Sequence, residues 1–138
     1  MSITLTDIRI RLGVPVLQTG SKVIRQDGVG VDTDLVVADQ PNLMDKIEAI
    51  GFVATGSDSP EYPNSDIIQC YRLNDFNLIV VESEEAFARW QAATFLATYL
   101  QLNEKFQRVA LFQFITEGHV RDTVIDNPDF PLPLGDCA

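Results

Sequence analysis

From Asp66 onward the apolar positions are regular enough to predict elements directly. The apolar runs over 67–73 and 76–82, split by Asn74-Asp75, predict two strands joined by a tight turn, because Asn and Asp tolerate the positive backbone angles that hairpin turns need. Ser83 stands where a helix N-cap belongs, and Glu84 and Glu85 follow in the first turn, where carboxylates interact favourably with the helix dipole. Phe87, Trp90, Thr94, Ala97 and Leu100 or Gln101 then recur at three- and four-residue steps, with Phe95, Leu96 and Tyr99 widening the stripe. This long helix is predicted to be central, with Phe87, Trp90 and Phe95 in the core. The apolar segment Phe106 to Ile115 either extends it or breaks at Asn103 into a second helix, closed by Gly118.

The amino-terminal half is less regular. Ile8, Ile10, Leu12, Val14 and Val16 alternate as in a strand, whereas Leu5, Ile8 and Leu12 suit a helix capped by Thr6 and stopped by Gly13; the helix is the preferred reading. The run from Pro15 to Gly20 then reads as a loop. Lys22 to Gln26, Asp27-Gly28 and Val29 to Asp32 predict a short hairpin, and Leu35 to Ala38 a further strand. Pro41 suits the first turn of a helix through Ile50, ended by Gly51, with Leu43, Ile47 and Ile50 as its apolar face and Met44 at the edge. Residues 55–65 are rich in turn formers and bare of aliphatic side chains, so they predict an exposed loop.

Pro128, Pro131 and Pro133 make the carboxyl-terminal stretch incompatible with a helix. The pattern therefore predicts a single α+β domain over 1–125: short antiparallel hairpins against a long central helix and one or two shorter helices, with an extended arm over 126–138.

Composition adds bounds. The 138 residues, 46% hydrophobic and 22% charged, suffice for one folded domain with its own core. The net charge of −10 opposes nucleic acid and anionic lipid, but it is uneven: Arg9, Arg11, Lys22 and Arg25 against Asp7 give the first 26 residues +3, leaving −13 for the rest. An acidic body with a basic amino end suits a head-to-tail self-contact or an acidic partner. Cys70 and Cys137 have no paired spacing, which predicts no structural disulfide and a reducing compartment: a cytoplasm, or a virion assembled there. The opening residues lack a signal-peptide pattern, and no apolar run is long enough to span a membrane.

No strong catalytic pattern emerges. His119, the single histidine, has Glu117, Arg121 and Asp122 nearby but no recognisable nucleophile, and reads as a surface or structural residue. Asp27 to Asp34 offers oxygens between glycines, but its spacing is not that of an EF-hand, and turn chemistry explains the same residues. Gly28-Val-Gly30 lacks the third glycine of a dinucleotide fingerprint, and Glu84 and Glu85 place carboxylates where a phosphate would sit. No cofactor, metal or catalytic residue is assigned.

Two resemblances bear on function. Leu5 to Val14 looks like the first helix and turn of a helix-turn-helix, although residues 15–23 make a poor second helix and the acidic charge opposes DNA. The opening Ile3-Thr-Leu-Thr-Asp-Ile-Arg-Ile-Arg-Leu-Gly also resembles the start of small proteins that join head to tail in tailed bacteriophages, a family of ring-forming adaptors. The predicted hairpins depart from the mostly helical form of many such adaptors. What this resemblance implies is a noncatalytic subunit of a symmetric ring in a phage particle.

The leading expectation is thus a noncatalytic assembly or interaction subunit, a homo-oligomer or part of a larger assembly, with protein partners and neither nucleic acid nor membrane. Its partner-binding residues are Arg9, Arg11, Lys22 and Arg25 at the amino end and Phe130, Leu132 and Leu134 on the arm. The alternative is a small regulatory protein that binds a protein or nucleic-acid partner through the basic segment. A third is an enzyme using carboxylates such as Glu84, Glu85, Asp58 and Glu61. Apolar residues on an arm need cover, from a neighbouring subunit or from the protein's own surface. Deleting residues 127–138 separates the two: a smaller oligomer in sedimentation assigns the arm to a neighbour, and unchanged size with a lower melting temperature assigns it to its own chain.

Overall fold

Thr4 begins the first helix, α1 (Leu5–Leu12), by satisfying two of its otherwise unpaired backbone groups at once. Its hydroxyl accepts from the Asp7 amide at 3.2 Å, and the Asp7 carboxylate accepts from the Thr4 amide at 3.1 Å. That amide, helped by the Thr4 side chain and by nearby Arg11, holds the Asp7 carboxyl below the usual carboxylate range. Gly13, at φ 66°, ends the helix in the left-handed conformation. The expectation of a helix stopped by Gly13 holds, with Thr4 rather than Thr6 as the cap. The helical period buries Ile8 and Leu12 and turns Ile10 outward, which is why the alternating pattern does not become a strand.

The computed structural model describes residues 3–25, 32–57 and 66–118. After α1 come β1 (Leu17–Thr19), α2 (Ser21–Ile24), β2 (Thr33–Ala38), α3 (Leu43–Ile50), β3 (Val53–Gly56), β4 (Ile67–Leu73), β5 (Phe76–Val81), α4 (Glu84–Tyr99) and α5 (Lys105–Glu117). The strands form one sheet in the order β1-β2-β5-β4-β3. The central pair, β2 and β5, is parallel, in a register running from Thr33 opposite Phe76 to Ala38 opposite Val81; the other three pairings are antiparallel.

The fold is α+β, with the long helix and the 67–82 hairpin where the pattern put them. The first strand of the hairpin predicted at 22–32 does not form over the described residues. Ser21–Ile24 is a helical turn, and the run expected to be a loop contains β1, while Gln26 to Val31 lie outside the described residues. Gly20 directs this change. Its φ of 83° turns the chain out of β1, and a Cβ there would collide with the Asp34 carboxylate, so only glycine fits. Thr55 and Gly56, expected in a loop, end β3; the remainder of that loop from residue 58 and the arm over 126–138 lie outside the described residues.

Leu35 to Ala38 in β2 and Leu78 to Val81 in β5 are all buried, without alternation, because both faces of the sheet are covered. On one face α1 and α3 deliver Ile8, Leu12, Leu43 and Ile47 against Leu35, Val37, Leu78 and Val80. On the other, Ile24 of α2 and the α4–α5 pair pack against Val36, Ile79 and Val81. Trp90 and Phe112 join the two long helices edge to face, ring centres 5.5 Å apart. Arg108, almost fully buried, donates to the carbonyls of Leu102 and Asn103 at 3.2 and 2.7 Å and fixes the corner between them.

Trp90 has no solvent exposure. Trp90→Ala is therefore expected to cost about 3–5 kcal/mol in urea or thermal unfolding, since it removes the largest core side chain and leaves a cavity.

Candidate functional site

Helix α4 is apolar on two opposite sides. At about 100° per residue, Ala86, Trp90, Ala93, Thr94 and Ala97 fall together and are buried against the sheet and α5. Ala88, Ala92, Phe95, Leu96 and Tyr99 fall on the far side and face solvent. Phe95 is 68% exposed, Tyr99 75%, Leu96 38% and the following Leu100 54%. The prediction that Phe95, Leu96 and Tyr99 widen a buried stripe, with Phe95 in the core, is therefore corrected. One sheet covers one side of a helix, and α5 takes only the flank.

The outer residues Ala88, Ala92, Phe95 and Tyr99 step by four, three and four, the spacing of a seam that receives another helix. The Phe95 and Tyr99 rings stack at 6.4 Å, 13° from parallel, and form one slab. With Leu96 and Leu100 they leave roughly 400 Å² of apolar surface in contact with water, within the range where the largest patch of a soluble protein is often functional. Phe114 on α5 is 61% exposed as well.

Charge rims this face on one side. Glu84 and Glu85 lie in the first turn of α4, exposed, with Glu82 just before them. Arg89, the single cation within α4, is committed to the nearly buried Asp66 carboxylate at 3.0 Å. Ser83, as expected, accepts from the Ala86 amide at 3.1 Å.

The cations predicted as a partner site are split by the sheet. Arg9 and Arg11 flank Ile10 on α1, which packs on one face; Lys22 and Arg25 belong to α2 and its C-cap, on the other. Ile10 is 73% exposed. Arg9 Nη2 donates to the Val16 carbonyl at 3.2 Å, and Lys22 Nζ donates to Thr33 Oγ1 at 3.3 Å. Phe130, Leu132, Leu134, His119, Asp58, Glu61 and Gly28 to Gly30 lie outside the described residues.

Of the carboxylates weighed as metal ligands, Asp27 lies outside the described residues, and Asp32 and Asp34 serve the scaffold. Asp32 accepts from Arg72 Nη2 at 3.0 Å, and Asp34, buried, accepts from Asn77 Nδ2 at 3.1 Å. Among the described residues no group of three or more His, Cys, Asp or Glu is placed to hold a metal ion, and no helix is long and apolar enough to cross a membrane. Glu84 lines an open cleft of about 220 Å³ with Pro15, Ala38, Gln40 and Phe87 at the carboxyl end of β2. Sheets with parallel strands often bind ligands at that end, but here a carboxylate meets the helix terminus. Tyr71, whose hydroxyl is pushed up by burial and then by Glu48, Asp39 and Asp45, packs into the core beneath α3.

A scan of protein-family models, a search of curated proteins and a search of solved structures each find no match.

Replacing Phe95 and Tyr99 by serine is expected to change unfolding free energy by less than about 0.5 kcal/mol in dilute solution, because neither ring is buried in the single chain. Urea unfolding of the double variant checks this.

Proposed function

We propose that this chain is a noncatalytic assembly subunit that acts through protein–protein contacts. The observation that carries the reading is the outer face of α4, an aromatic seam that the described residues leave in water. The opening residues, similar to those of phage head-to-tail joining proteins, extend the proposal to a component of a viral particle assembled in a cytoplasm. The regulatory alternative draws less support. A basic amino segment reads nucleic acid or an acidic partner best as one patch, and its four cations sit on opposite faces of the sheet.

Energetics favour a contact made through more than the seam. Covering roughly 400 Å² at about 25 cal/mol per Å² yields about 10 kcal/mol gross. Association consumes a comparable amount in lost translation and rotation, so the rings need charge complementarity or repeated contacts beside them.

Sedimentation velocity over a concentration series tests the proposal. Mass rising above that of the single chain is the expected result, with Phe95→Ser/Tyr99→Ser shifting the protein back to monomer. A concentration-independent monomer overturns it.

A further inference from the structure

The face of α4 has a definite relief. Ala88 and Ala92, exposed one turn apart, present only methyl groups between the Glu84-Glu85 end and the larger Phe95 and Tyr99 rings. A matching projection exists elsewhere on the molecule. Ile10 points straight out from α1, on the side opposite buried Ile8 and Leu12, with Arg9 and Arg11 about 100° to either side. That helix is a rigid mount. It is boxed at Thr4, closed at Gly13 and anchored in the core, so the projecting residue is held in place at little further cost in entropy.

We propose that a second copy of this chain covers the α4 face with its own α1: Ile10 seats over Ala88 and Ala92, and Arg9 and Arg11 face Glu84 and Glu85. The inference rests on the assembly reading above and specifies its geometry. Charge complementarity supports this occupant. The flanks of exposed Ile10 carry Arg11 and Arg9, the latter also donating to its own Val16 carbonyl, with Asp7 engaged by the capping box, whereas the first turn of α4 presents two glutamates. Topology supports it too. Helices α1 and α4 lie on opposite faces of the sheet, so the two surfaces do not overlap and one chain offers both at once. The contact is therefore heterologous: each copy that docks brings a fresh α4 face, and the contact repeats from copy to copy. An α4-to-α4 pairing, by contrast, leaves Ile10 in water.

Two exposed-site substitutions compatible with helix, Ile10→Glu and Ala92→Glu, test this by sedimentation velocity alone and in mixture, with circular dichroism confirming native helix content. Each is expected to be monomeric by itself. Mixed in equal amounts they are expected to form a heterodimer that grows no further, because Ile10→Glu keeps its α4 face and Ala92→Glu keeps its α1. Wild type that assembles together with Ile10→Glu that also assembles overturns the head-to-tail contact and leaves the assembly reading standing. Monomeric variants that do not combine also overturn it, and a monomeric wild type overturns both readings. If Ile10→Glu loses its fold, Arg11→Glu supplies the α1 arm of the test, with association expected to weaken several-fold and to fall further as salt rises from about 0.05 M to about 0.5 M. Unchanged association and no salt dependence overturn the pairing of α1 with the α4 glutamates.

Discussion

The pairing of β2 with β5 constrains everything else in this structure. Both strands carry apolar side chains on both sides, Leu35 to Ala38 and Leu78 to Val81, and all eight are buried. A sheet built around such strands needs a layer on each face. The chain supplies α1 and α3 to one, and α2, α4 and α5 to the other. Because β2 and β5 are parallel, the chain must return to the same end between them. Helix α3 makes the first return, so that β3 runs in the direction of β2, and β4 makes the second as the β3-β4-β5 meander fills the sheet back to its centre.

Polar contacts running from the end of β1 across β2 and β5 to β4 lock this arrangement. Gly20 lets the Asp34 carboxylate approach the backbone, Asn77 donates to Asp34, and Arg72 bridges Asn77 to Asp32. Thr19 and Thr94 share a buried hydroxyl hydrogen bond of 2.7 Å that joins β1 to α4. Such buried polar pairs contribute modest net stability but are costly to break singly, so they fix position more than they add strength. The result is an α4 held in one orientation, with one side fully used and the other left over.

Local signals in the sequence were sufficient for several elements. The Ser83 cap, the Asn74-Asp75 turn and the Gly51 and Gly118 stops each act within a few residues, and the structure places them as read. Elements set by distant residues carry no such local mark. Lys22 to Gln26 looked like a strand until Gly20 and Asp34, fourteen positions apart in the chain, are seen to share one space. The apolar runs of β2 and β5 signal strands, but their parallel pairing joins segments 43 positions apart, from Thr33 opposite Phe76 to Ala38 opposite Val81, and has no local mark, so the pattern suggests antiparallel hairpins where the sheet is mixed. Phe95 failed for a related reason. On a helix apolar nearly all round, periodicity alone does not say which side meets the sheet.

This same ambiguity links fold to function. An aromatic seam is readable as core in the sequence and becomes a surface only when the sheet is seen to cover the opposite side. The central claim is that α4 carries two apolar faces with different partners, its own sheet and another protein chain. Hydroxyl-radical footprinting of dilute and concentrated protein addresses it most directly, by comparing labelling of Trp90 with that of Phe95 and Tyr99. The account predicts Trp90 protected at both concentrations, and Phe95 and Tyr99 labelled when dilute but protected when concentrated. Equal labelling of Phe95 and Tyr99 at both concentrations would contradict it.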